Sequence, residues 1–198
     1  MNTDYVSVLD ATTKQRQVLS AALRTFGRYG YRRTSMELIA QAAQVSRPAL
    51  YQHFRNKQDV FRAMTAQMVD GLIDAAELAR RSEGTVADRL EGVLSVKIEF
   101  VAGTVDAEFR SEILADAEKI AGDLVQSFKD RLHAVVSALL TESSVELDLV
   151  GAEFRADDVA HLLLDAVVGI VQEDAAPDVL DKRLRDLVHL TIRGLTSR

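Results

Sequence analysis

Apolar residues return every third or fourth position through most of this chain. Over residues 12–29 they fall at Val18, Leu19, Ala22, Leu23 and Phe26, the spacing of one helical face. Gly30 then supplies a stop. Thr34 opens a second, short helix reaching about Ala43, with Glu37 as its capping-box partner and Leu38, Ile39 and Ala42 inward. Ser46 caps a third, to about Phe54, with Pro48 in the first turn, where a missing N–H costs little. Asn56 caps a fourth over residues 57–80, with Asp59 at N3 and Val60, Phe61, Met64, Met68 and Leu72 inward. "RSEGTVA" reads as a loop, and helices follow over about 86–102, 106–120 and 121–141. "VELDLV" alternates as a strand does, but one short strand has no sheet to join, so its surroundings read as loop. Two strong helices, 157–172 and 177–197, close the chain. The pattern predicts an all-α fold of about nine helices, with no internal repeat.

The second and third helices are short, and the link "AQVS" between them is tight. That is the helix-turn-helix pattern, whose second helix lies in the major groove of DNA. From Ser46 to Phe54 the third helix rises roughly 12 Å, about the width of that groove. Leu50 and Phe54 share its inner face, which leaves Arg47, Pro48, Tyr51, Gln52 and His53 outside. Arg47 suits guanine O6/N7 and Gln52 suits adenine or a phosphate, while Pro48 and the Ala49 methyl suit a thymine methyl. Tyr51 and His53 suit phosphate oxygens, which set register. Lys57, a cation in a first helical turn, opposes the macrodipole and makes sense there as a phosphate ligand. Its replacement by Ala is then expected to lower the salt slope of binding by about one. Thr34 and Ser35, beside Arg32 and Arg33, offer a second phosphate seat.

Charge sharpens this picture. The net charge of −6 looks wrong for a polyanion partner, yet residues 1–63 hold ten Lys/Arg against four Asp/Glu. The acidic excess belongs to the remainder. Seven of the eleven aromatics also fall in residues 1–63, as a small domain needs large side chains to build a core. There is no cysteine, which excludes disulfides and thiolate sites. The start "MNTDYVSVLD" lacks the basic and apolar regions of a signal peptide, and no apolar run reaches membrane-spanning length. The expectation is a cytoplasmic protein without a membrane partner. Four histidines (53, 133, 161 and 189) are scattered without metal spacing, and neither a phosphate loop nor a nucleophile elbow occurs. No enzyme activity, cofactor or metal is expected.

The stretch "GYRRTSMELIAQAAQVSRPALYQHFRNKQDVF" resembles the signature of the TetR family of transcriptional regulators. The likeness lies in Gly30-Tyr31, Thr34-Ser35, Ile39-Ala40, Ala43, Val45-Ser46, Leu50-Tyr51, His53-Phe54 and Asn56-Lys57. With the first helix it spans about residues 12–62. Two positions depart from the pattern. Gln44 stands where the family often has Gly, and would cost about 1 kcal/mol if its φ is positive. Gln58 stands where an acidic residue is common, with Asp59 next to take over its role.

The resemblance implies a DNA-binding domain over residues 1–56 and an effector-binding and dimerisation domain over 57–198. It implies double-stranded DNA and a small-molecule effector as partners, and a homodimer made by the last two helices. One stripe there carries Leu162, Leu163, Ala166, Val167 and Ile170, and the other Leu184, Leu187 and Val188. Packing of both stripes within one subunit is the alternative that periodicity leaves open. A pocket would be lined by Met64, Met68, Phe100, Phe109, Phe128 and Leu132, each also a candidate for plain core, with His133 as a polar handle. The function so implied is a repressor released from a near-palindromic operator by its ligand. The alternatives are an activator on the same fold, or a helical interaction module without DNA binding.

Overall fold

A computed structural model describes residues 3–104, 110–147, 149, 154–172 and 175–196. Among the described residues there are eight helices and no strand: α1 (Thr3–Arg33), α2 (Met36–Ala42), α3 (Arg47–His53), α4 (Lys57–Arg80), α5 (Val86–Thr104), α6 (Arg110–Glu142), α7 (Ala156–Gln172) and α8 (Pro177–Thr196). The expectation of nine is corrected here. The helices read as 106–120 and 121–141 run together as α6, whose backbone leaves helical geometry at Ala121 (φ −138°, ψ 35°). Gly122, a weak helix former, follows directly. The boundary seen in the periodicity is thus a bend. Gly30 acts in a comparable way inside α1, at φ 74° and ψ 165°, a conformation glycine takes without steric cost.

The helix starts follow local chemistry. The Asn56 side chain accepts the Asp59 N–H at 2.8 Å, and Asp59 in return accepts the Arg55 N–H at 3.2 Å. Thr85 and Asp88 form a reciprocal box at the start of α5, at 2.9 and 3.1 Å. Each such cap satisfies N–H groups that the helix itself leaves without partners. Residues 143–147 are turns rather than strand, with Leu147 buried.

The chain divides into two compact units, Met1–Val69 with Thr104–Val125, and Asp70–Gly103 with Gln126–Arg198. Their boundaries fall inside α4 and α6 and at the last residue of α5, whereas the sequence reading divides the chain before α4. The core of the first unit joins Val18, Ala22 and Phe26 of α1, Ile39 of α2, Leu50 of α3, Val60, Phe61 and Met64 of α4, and Ile113 of α6. At its centre Phe26 meets Phe61 edge-on, with ring centroids 5.1 Å apart, and Tyr31 lies 5.7 Å from Phe26 and 5.1 Å from Phe61. Arg62 adds a two-pronged bond to Asp123 at 2.8 and 2.7 Å within the same unit. The core of the second unit joins Leu90 and Leu94 of α5, Leu139 and Leu140 of α6, Leu163 and Val167 of α7, and Leu184 and Val188 of α8.

Candidate nucleic-acid interface

The turn between α2 and α3 is held by its own backbone. The Val45 N–H reaches back to the Ala40 carbonyl at 3.0 Å, and the Gln44 N–H to that of Gln41 at 3.1 Å. This is the Schellman closure, which needs a left-handed residue after the cap. Gln44 supplies it, at φ 55°. The departure noted in the sequence therefore falls on the one position where glycine has a steric advantage. We expect Gln44→Gly to stabilise the first unit by about 1 kcal/mol, read as a higher urea midpoint with unchanged DNA preference. A lower midpoint would show that the glutamine side chain contributes more than its backbone costs.

Ser35, not Thr34, is the N-cap of α2; its side chain accepts the Leu38 N–H at 3.1 Å. Thr34 is buried, and its hydroxyl donates to the Gly30 carbonyl at 2.7 Å. The capping box read between Thr34 and Glu37 is thus corrected, and the Thr34 hydroxyl faces the protein rather than a phosphate. Ser46 caps α3 by accepting the Ala49 N–H at 3.2 Å. Ser35 and Ser46 are both exposed, and each hydroxyl keeps its own proton to donate.

Leu50 is fully buried and Phe54 nearly so, which anchors α3 to the first core. Arg47, Pro48, Tyr51 and Gln52 are all exposed on its outer side, with Tyr51 at 42%. An exposed tyrosine beside an arginine, with the guanidinium 5.7 Å from its ring, is a surface of donors and flat apolar area. Arg47 also lies 3.4 Å from Glu37, the two side chains being 61% and 69% exposed. So open a pair contributes at most about 1 kcal/mol and gives way readily to a base edge. His53 is half-buried beside Phe54.

Lys57 departs from its expected role. Its ammonium donates to the Tyr31 carbonyl at 2.7 Å and to the Arg32 carbonyl at 3.4 Å, and lies 4.2 Å from the Tyr31 ring. By sequence it opens α4, but in space it closes α1, where free carbonyls and the macrodipole favour a cation. Partial burial lowers its pKa, and the nearby Asp116 carboxylate of α6 offsets part of that shift. Burial, and then the same carboxylate, raise the pKa of the Tyr31 phenol. These bonds make Lys57 a tie between α4 and the end of α1, a role we propose in place of the phosphate contact. Lys57→Met should cost the first unit about 1–2 kcal/mol in a denaturant titration and leave the salt slope of DNA binding unchanged. A slope reduced by about one, at unchanged stability, would return Lys57 to the phosphate contacts.

In the second unit α6 and α7 border a cleft of about 520 Å³, lined by Lys97, Phe128, Lys129, Leu132, His133, His161, Leu164, Asp165 and Val168 among others. Of the expected pocket residues, Phe128 and Leu132 line it. Met64 belongs to the core of the first unit and Met68 is half-buried there. Phe109 and the side chain of Phe100 lie outside the described residues. Lys97 is half-buried, and its pKa is lowered by that burial and by the positive charge of Lys129. The reading of the histidines as scattered also needs correction. His133 and His161 stand 2.9 Å apart, nitrogen to nitrogen.

The two apolar stripes divide. Leu163, Val167, Leu184 and Val188 face their own core. Leu162 is 64% exposed, while Ala166, Ile170 and Leu187 are partly covered. Leu162, Leu187 and Leu190, the last 71% exposed, border an open apolar groove between α7 and α8. A side chain at Gly169 or Gly194 would meet only open space.

Residues 18–64 match the family described as bacterial regulatory proteins, tetR family. The match runs from the buried half of α1 through α2, α3 and the start of α4. The HTH-type transcriptional activator FasR of Mycolicibacterium smegmatis is 33% identical over 88 residues, 44% of this chain and 40% of that protein. The fatty acid metabolism regulator protein of Bacillus subtilis is 22% identical over 184 residues, 90% of each chain. The chain thus spans less than half of the first relative and most of the second. Among solved structures, the transcriptional regulator FadR from Bacillus subtilis in complex with stearoyl-CoA shares the fold, with a TM-score of 0.60, 19% identity and coverage of 92% of this chain and 97% of that one.

Proposed function

We propose that the chain is a member of the tetR family of bacterial regulatory proteins, which residues 18–64 match, and that it is a DNA-binding transcriptional regulator that reads a near-palindromic operator as a homodimer. The observation that carries this reading is the outer face of α3, where Arg47, Pro48, Tyr51 and Gln52 stand exposed on a helix anchored by Leu50. We assign DNA reading to residues 1–56 and effector binding and dimerisation to residues 57–198. Arg47 and Gln52 read base edges, Pro48 meets a thymine methyl, and Ser35, Ser46 and Tyr51 hold phosphates. Half-buried His53 stands at the margin of this set.

The homodimer forms through the exposed half of the α7 and α8 stripes. Leu162, Leu187 and Leu190 supply apolar area, and Ala166, Gly169 and Gly194 allow close helix approach. Apolar surface gathered in one groove marks an interaction site, and a two-fold dimer carries two copies of α3, which a near-palindromic site calls for. None of the described helices is long and apolar enough to cross a membrane. We place the protein in the cytoplasm with its DNA and assign it no enzymatic step.

The effector is an amphiphilic anion of the fatty-acyl class, bound in the cleft beside Lys97. Lys97, half-buried beside an apolar lining of Phe128, Leu132, Leu164 and Val168, suits an anionic head and a hydrocarbon chain, with Asp130 and Asp165 lining the same cleft. An anion beside half-buried Lys97 relieves the desolvation that the ammonium bears when alone. The names of the fatty acid regulators among its relatives support the same class. The protein is a repressor that the effector releases, which requires tighter effector binding to the state that holds DNA poorly. Fluorescence anisotropy with operator DNA tests this. An acyl thioester should weaken DNA binding by about 5–150-fold, and Lys97→Met should blunt the response. Unchanged DNA affinity at saturating acyl thioester would contradict the effector assignment and leave the reader to be judged on its own.

A further inference from the structure

Beside two histidines of the cleft lining, Asp157 completes a cluster of three side chains that bring lone pairs together. His133 on α6 presents Nε2, and α7 presents His161 Nδ1 and, one turn earlier, the Asp157 carboxylate. The two ring nitrogens lie 2.9 Å apart, His133 Nε2 lies 3.4 Å from Asp157 Oδ1, and His161 Nδ1 lies 3.9 Å from Asp157 Oδ2. The ligand atoms of all three residues fall within 4.8 Å of one another. His161 Nδ1 also lies 3.0 Å from the Asp157 carbonyl.

Neutral imidazole offers one donor and one acceptor nitrogen, and an ionised carboxylate only accepts. With His133 Nε2 donating to His161 Nδ1, the Asp157 carboxylate at 3.4 and 3.9 Å has no ring donor at short range. A divalent ion engages all three groups at once by taking a lone pair from each. The spacing suits it: donors about 2.0–2.1 Å from a tetrahedral zinc stand roughly 3.3 Å from each other. The two ring nitrogens, 2.9 Å apart, stand near that edge; the carboxylate reaches them through different oxygens, 3.4 Å from Oδ1 to His133 and 3.9 Å from Oδ2 to His161, and a turn of its side chain brings one oxygen onto the ion.

We infer that His133, Asp157 and His161 bind a divalent first-row transition-metal ion, with zinc as the reference case. Imidazole nitrogens with one carboxylate oxygen suit zinc and its neighbours rather than magnesium or calcium, which take oxygen ligands. Three protein ligands leave a fourth position. Both histidines line the cleft, and Asp157 is outside its lining. The ion joins α6 to α7 within the second unit and gives the cleft a Lewis-acidic point for an anionic group. Asp130 and Asp165 line the same cleft and balance its two lysines. The inference rests on the three ligands alone and holds whatever the effector is.

The test uses the full-length chain without a polyhistidine tag. Co²⁺ and Zn²⁺ are titrated in competition with a chromophoric chelator, with the visible Co²⁺ spectrum recorded. The expected result is one ion per chain, a strong four-coordinate cobalt spectrum, and displacement of cobalt by zinc. His133→Ala and His161→Ala should each weaken binding by about tenfold or more, an effect as large as those that supporting residues alone produce at metal sites. Asp157→Asn, which keeps the shape and loses the charge, should weaken it as well. Zinc should raise the thermal midpoint of the wild type but not of the His133→Ala, His161→Ala double variant. His161 and Asp157 are largely exposed, so helix content of the metal-free variants should match wild type; Asp157→Asn decides if an alanine variant does not fold. Wild-type binding no tighter than that of the double variant, or a stoichiometric ion that survives all three substitutions, would overturn the inference.

Discussion

Phe61→Ala should cost the first unit about 3–5 kcal/mol, the range for removing a buried aromatic ring. Phe61 is 1% exposed and touches the rings of both Phe26 and Tyr31. Those contacts join α4 to α1 across the core on which α2 and α3 rest. Rigid neighbours cannot close the gap, so the lost transfer energy is compounded by a cavity. The loss is a large share of the 5–15 kcal/mol that typically holds a domain together. Chemical denaturation followed by circular dichroism should show an early transition for the first unit. DNA affinity should fall although no surface residue has changed. Phe61→Leu, which refills most of the space, should lose clearly less. Equal losses from Ala and Leu would mean that ring contacts, rather than volume, dominate the site.

Arg47→Ala carries the second large effect, and it acts on specificity instead of stability. We expect a loss of about 1–3 kcal/mol at one base pair of each half-site, with relaxed preference there. The folded protein should be nearly indifferent, because the Arg47–Glu37 pair lies in solvent. Glu37→Gln should therefore leave stability alone while freeing the guanidinium for DNA. Binding measured against a panel of single-base operator variants reads the effect directly. A uniform loss over every variant would make Arg47 a phosphate contact.

The features that were legible in the sequence are those that local chemistry decides. Ser46 and Asn56 cap because their side chains reach an N–H three residues on. The bend at Ala121 and the break at Gly30 both fell where periodicity stopped. Gln44 stood out only through the resemblance, because the family often has Gly at that turn position. The misses share a different cause. Thr34 and Ser35 are adjacent and both able to cap, and the choice turned on the Thr34 bond to Gly30, which follows from the way the chain breaks there. Lys57 meets a carbonyl 26 residues away, and His133 meets His161 across 28. No spacing rule spans such distances, since only the packing of helices brings the groups together. The apolar stripes show the same limit. Periodicity marks Leu162 and Leu163 alike, yet one is exposed and the other faces the core.

The central claim is that the outer face of α3 reads a two-fold DNA site. In-vitro selection of host genomic fragments tests it most directly, with wild-type protein beside an Arg47→Ala, Tyr51→Ala double variant of matched stability. The account predicts that wild type alone enriches a near-palindrome whose half-sites lie about one helical turn, or a multiple, apart. Equal enrichment by the double variant, or none by either protein at low and moderate salt, would contradict it.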